Sequence, residues 1–140
     1  MISLQTLLTL YDLGAIDATH IPISQPRMNS MAYTTNKEFT AVSLQAVCIN
    51  NLKFIDVSAG WAGSIHNARI FRLSTLSSVL ATELKNTDYF LIGDRAYPLQ
   101  KHLMKPFRNN DNLSEVFYYF MHYSILYLTL QCLFPGSNAI

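Results

Sequence analysis

Charge is scarce in this chain, and what there is nearly cancels. Ten Lys and Arg stand against nine Asp and Glu, a formal net charge of +1. That balance supplies no basic footprint of the kind that holds nucleic acid by charge alone. Cysteine is scarcer still. Cys48 and Cys132 lie far apart without the paired spacing of a zinc site, which points to a reducing compartment and no disulfide framework. Residues 1–13 lack the basic start and small-residue cleavage site of a secretory signal. No stretch repeats, and none is of low complexity. The 140 residues are at most one domain or a piece of one, but with half of them hydrophobic a core can form.

The scarcity is uneven. All Lys and Arg fall between Arg27 and Arg108, the last acid is Glu115, and from Val116 to Ile140 only His122 can carry charge. Val116–Phe134 is therefore an uncharged, aromatic-rich run close to the ~20 residues that cross a bilayer. Its tyrosines are spread along it rather than held at two interfaces, and no Lys or Arg flanks it to set an orientation. Two readings stay open: a marginal membrane segment, or a segment too apolar to stay free in water.

Taken in order, residues 1–13 carry leucines at helical spacing and read as a lead-in segment. Gly14–Ile23 (GAIDATHIPI) reads as a buried strand with Asp17 in its middle. A lone carboxylate there is costly unless something pairs with it. A divalent metal is the usual remedy, because hard cations take carboxylate oxygens; a neighbouring Arg or backbone N–H is the plainer one. Residues 24–37 have loop chemistry. Phe39–Ile49 and Leu52–Ala59 are β-rich runs on either side of Asn50-Asn51, a pair suited to a hairpin turn. Asp56 falls in the second run, where solvation at a hairpin edge accounts for it.

Gly60-Trp61-Ala62-Gly63 breaks the strand pattern, and Ser64 can cap one helix with apolar positions at Ala68, Phe71, Leu76, Val79, Leu80 and Leu84. Thr87–Gly93 has the apolar continuity of a buried strand and ends on Asp94. An acid at the carboxyl end of such a strand is where open α/β sheets place their sites. Leu99–Lys105 reads as a short helical piece. Strand, hairpin, helix, strand and helix in that order match a ribonuclease H-like α/β fold, a mixed sheet with flanking helices. Its first strand would be central, with Asp17 and Asp94 on neighbouring strands.

GAIDATHIPI, FTAVSLQAVC, LKFIDVSAGWAGSIHNARIFRLS, YFLIGDRAYPL and LMKPFRNNDNLSE are specific strings. In this order they resemble the catalytic domain of Harbinger-type (PIF/Harbinger) transposases and the domesticated nucleases derived from them, in the DDE superfamily of endonucleases. The similarity runs from about Gly14 to Glu115. It implies a nuclear protein with Mg²⁺- or Mn²⁺-dependent phosphodiester chemistry on DNA. In such sites two ions ~3.5–4 Å apart activate a water or 3′-hydroxyl and stabilise the leaving oxygen. By the same resemblance Asp17 matches the first metal-binding acid, Asp94 the acid of the GD-x-AY motif, and Asn67 a position where the family has Asp.

Three departures follow. Ala18 replaces the usual Gly after the first acid. Asn67 can ligate through its amide oxygen but brings no charge. The Arg-rich helix with the family's last catalytic Glu has no counterpart after Glu115. The chain thus divides into a lead-in segment (1–13), a partial DDE domain (14–115) and an apolar tail (116–140) in place of that helix, the mark of a frame or splice error near the Glu115 codon. The expectation is a degenerate, inactive nuclease; the alternatives are an interaction module or a membrane-associated protein using 116–134. DNA binding should be weak from this chain alone and call for a separate DNA-binding partner protein. His20 and His66, beside the candidate acids in sequence, are candidates to orient a metal ligand or to touch substrate, although neighbours in a strand face opposite ways and a structural role is the plainer reading. Trp61 packs over the sheet on the plain reading and stacks on a base on the other.

Overall fold

Each long apolar run expected to be a strand is one in the computed structural model of the chain, which describes residues 12–49 and 53–105. β1 (Asp12–Pro22), β2 (Ala41–Cys48), β3 (Phe54–Ala62), β4 (Phe90–Ile92) and β5 (Leu103–Met104) form one sheet in the order β3-β2-β1-β4-β5. The β1–β2 and β2–β3 pairs are antiparallel, and the β1–β4 and β4–β5 pairs are parallel. The sheet is therefore mixed, with β1 at its centre, and the fold is α/β. Asp56 lies on the edge strand, where water can reach one side of it.

Alternation along the strands separates the two faces of the sheet. Ile16 on β1 stands opposite Val47 on β2. Both belong to the principal buried cluster with Leu91, Tyr97 and Leu103, together with Phe71 of α1 (Asn67–Leu73) and Leu76 and Leu80 of α2 (Thr75–Glu83). Each such side chain contributes about 1.5–3 kcal/mol when fully buried. Phe71 meets Tyr97 edge to face at 6.3 Å and 87°, the geometry that aromatic quadrupoles favour. On β4 and β5, Ile92 packs with Phe90 and Met104 in a second, smaller cluster.

Four local expectations are corrected. The strand does not break at Gly60: β3 runs on through Trp61 to Ala62. Ser43 pairs with Trp61 but Leu44 pairs with Ala59, so Gly60 is the extra residue of a bulge, at φ 89°. Trp61 is half-buried there, its indole N–H donating to Ser58 Oγ at 2.8 Å. The single helix expected from Ser64 is two, with His66 at the first N-cap and Ser74 between them at ψ 159°. The Ser74 hydroxyl donates to the Phe71 carbonyl at 2.9 Å and accepts from Gln45 Nε2 at 3.4 Å. A serine that bonds locally to the backbone in this way competes with helix continuation.

Leu99–Lys105 is not helical. Its backbone is drawn to the sheet edge, where Leu91 donates to His102 O at 2.9 Å and Gly93 to Met104 O at 2.8 Å. Cys48, buried at the end of β2, is disulfide-bonded rather than a lone thiol. The Asn50-Asn51 pair, most of the lead-in segment, Glu115 and the Val116–Phe134 run lie outside the described residues. Among the described residues no helix is long and apolar enough to cross a membrane.

Candidate active site

Asp17 and Asp94 are brought together by strand pairing. Gly14 stands beside Leu91 and Ala15 beside Ile92 in the parallel β1–β4 pair. Asp17 lies two residues past Ala15 on β1 and Asp94 two residues past the end of β4, so both acids follow the last paired residues of these neighbouring strands. The two acids feel each other. Burial pushes the Asp17 carboxyl up to about 6; the Ala18 N–H pulls it down, and the charge of Asp94 raises it again. The Ala18 N–H donates to Asp17 Oδ1 at 2.8 Å, and the Ala96 N–H donates to Asp94 Oδ1 at 2.8 Å. The second bond is an Asx-type turn, which fixes the carboxylate where β4 ends.

Tyr97, which the sequence carries only as the last residue of the GD-x-AY motif, joins them. It is 1% exposed, and its hydroxyl has no hydrogen-bond partner among the described residues. Burial, then the charges of Asp17 and Asp94, push its phenol far up, so it stays a neutral donor beside two acids. The signal was present in its place three residues after Asp94 in GDRAY.

The other candidates gather in an adjoining cleft of about 220 Å³, bordered by His20, Asn36, Ser64, His66, Asn67 and Ala96. Asn67 is half-buried at the first turn of α1. His20 is exposed at the end of β1, with Nδ1 3.1 Å from Ser43 Oγ and its ring edge-on to Phe39 at 6.0 Å. His66 is the N-cap of α1 and makes no side-chain cap bond. Ala96 borders the cleft and holds Asp94 through its N–H, so cleft and acid pair share a wall.

Among the described residues no three His, Cys, Asp or Glu come together to hold a metal. Asp17 and Asp94 nevertheless fit one hard dication. Both offer carboxylate oxygens, and the repulsion by Asp94 that raises Asp17 is what a cation would relieve.

The chain belongs to the DDE superfamily endonuclease family, whose model matches residues 16–120. It is similar to the rat (Rattus norvegicus) protein "Putative nuclease HARBI1", at 27% identity over 124 residues, 86% of this chain and 35% of that protein. The human protein of the same name is 26% identical over 110 residues, 79% of this chain and 31% of its own length. "Protein ALP1-like" of Arabidopsis thaliana is 29% identical over 113 residues, 68% of this chain and 27% of that protein. The chain spans about a third of the length of the curated relatives it matches. No solved structure matches.

Proposed function

We propose that this chain carries a divalent-metal endonuclease site in a charge-depleted form, on a ribonuclease H-like arrangement of strands. The observation that carries the reading is the nearness of Asp17, on β1, to Asp94, just past the end of the neighbouring β4, whose charge raises the Asp17 carboxyl. These two residues would hold one Mg²⁺ or Mn²⁺, which when bound polarises a phosphoryl oxygen and lowers the pKa of a bound water. The protein supplies the rest. Ala18 and Ala96 N–H groups fix the two carboxylates, and Tyr97 offers a neutral hydroxyl at the base of the site. Asp17 must shed its proton to ligate, so cation affinity falls as pH drops below about 6.

Asn67 replaces a charge with an amide, and the residues after Glu115 add no acid. Two close dications on two carboxylates would be under-neutralised. The chain by itself therefore binds one cation weakly and does not cleave DNA. The nuclear location and the need for a DNA-binding partner belong to the same proposal.

Calorimetry with Mn²⁺ at neutral pH is expected to show at most one weak site, absent in Asp17→Ala. Two tight sites would overturn the one-ion reading. Incubation of plasmid DNA with the purified chain and Mn²⁺ is expected to leave the DNA at background. Cleavage that disappears in Asp94→Asn would show that another acid completes the site.

A further inference from the structure

We propose that the cleft between the end of β1, the β3–α1 turn and the loop after β4 binds a phosphodiester of a DNA strand, with His20 Nε2 as its ordered donor. The proposal rests on the nuclease reading, because it seats a neighbouring phosphate of the same substrate.

The lining carries it. Among the described residues that border the cleft none is a carboxylate; beside the apolar Ile65 and Ala96, its polar side chains are imidazole, amide and hydroxyl. All of these can donate to phosphate oxygens. Two imidazoles without an acid fall short of a metal site but suit an anion.

His20 is held in place from behind. Ser43, its register partner on β2, is 1% exposed, and its hydroxyl lies 3.1 Å from His20 Nδ1. When that hydroxyl donates to Nδ1, the ring proton sits on Nε2, at the outer end of the ring. Phe39 meets the ring edge-on at 88° and limits its rotation. The bond satisfies the buried Ser43 hydroxyl and at the same time orders an exposed ring, at an entropic cost. Across the cleft His66 is exposed and is not used as a side-chain cap of α1. Asn67 and Ser64 complete a rim of donors. Ala96 borders the cleft and fixes Asp94 through its N–H, which ties the cleft to the loop that carries Asp94, while His20 and Asp17, three residues apart on β1, face opposite sides of the sheet.

The test uses the full 140-residue chain in EDTA, so that no cation contributes, with a short dye-labelled thymidylate strand followed by anisotropy. His20→Ala and His66→Ala should each weaken binding roughly ten-fold or more, the scale of one hydrogen bond to a charged oxygen. Ser43→Ala should weaken it about three-fold through loss of orientation, a fraction of one such bond. His20→Gln, whose amide can donate from a similar position, should recover part of the loss. Imidazole ¹⁵N spectra should show Nε2 of His20 moving on addition of the strand while Nδ1 keeps its bond. Unchanged affinity in folded His20→Ala overturns the proposal, as does absence of binding by the folded parent. Displacement of the strand by inorganic phosphate at equal concentration, with the same His20 dependence, would assign the cleft to free phosphate and also overturn it. Failure here with Mn²⁺ binding intact in calorimetry leaves the acid-pair reading standing, so the two are separable.

Discussion

Gly14→Ala is expected to unfold the domain rather than weaken it. Gly14 has φ 151°, and a Cβ there would lie 2.2 Å from the Cys48 carbonyl oxygen and 2.9 Å from its carbon. Both are backbone atoms of β2, and Cys48 is the register partner of the next residue, Ala15. No rotamer change can move them. The register with β4 also shifts between Asp12 and Gly14, so this residue sits where β1 accommodates an antiparallel and a parallel neighbour at once. Relief would require β1 and β2 to part beside the buried side chains of Ile16 and Val47. A cost above ~4 kcal/mol is expected, a large share of the 5–15 kcal/mol that holds a typical domain. Gly60→Ala is the control. Its φ is also positive, at 89°, but nothing lies within 4 Å of the added atom, so only the ~1–2 kcal/mol of backbone strain applies. Guanidinium denaturation followed by circular dichroism separates the two. A Gly14→Ala protein that melts within ~1 kcal/mol of the parent would mean that the strands do not approach as closely as described.

The strands and the acid pair were legible in the sequence because alternation and strand order are enough to find them. Asp17 in an apolar run and Asp94 at the end of another become neighbours once β1 is central, and β1 is central. What was not legible depends on single backbone bonds. A glycine that ends a strand and a glycine that bulges it read alike, and only the pairing of Ser43 with Trp61 shows Gly60 to be the second kind. Ser74 looks helical by periodicity until its hydroxyl is seen on the Phe71 carbonyl. β5 is two residues long and held by the main chain of Leu91 and Gly93, so side-chain pattern carries no trace of it. The polar residues of β2 fail in the same way. Ser43 and Gln45 alternate into the interior, at 1% and 0% exposure, where polar residues on a half-buried strand are expected to face water. Their partners, His20 and Ser74, lie 23 and 29 residues away.

Asp17→Asn is expected to stabilise the cation-free chain at neutral pH and to remove its pH dependence between about 4 and 6. Burial and the charge of Asp94 raise the folded carboxyl to about 6, from an ordinary value of 3.8. Between these two values the folded chain keeps a proton that the unfolded chain has released. Stability therefore falls as pH rises from about 4 to about 6 and stays reduced above that window. At 1.36 kcal/mol per unit the full shift would be worth ~3 kcal/mol, and the partial exposure of Asp17 lowers this to ~2 kcal/mol. The amide keeps the shape of the side chain and an oxygen for the Ala18 N–H, but it carries no charge to set against Asp94. Urea midpoints in EDTA should converge for parent and variant near pH 4 and separate by ~2 kcal/mol at pH 7, with the variant the more stable. A variant less stable than the parent at pH 7 would show that the Asp17 charge is already compensated within the fold. Adding Mn²⁺ at pH 7 closes the comparison. A cation seated between Asp17 and Asp94 should raise the parent toward the variant in a concentration-dependent way and leave the variant unmoved. The carboxylate that weakens the cation-free fold is then the one that binds the ion, a stability–function exchange of the kind found where charges are gathered for catalysis. Equal Mn²⁺ stabilisation of both proteins would place the cation elsewhere.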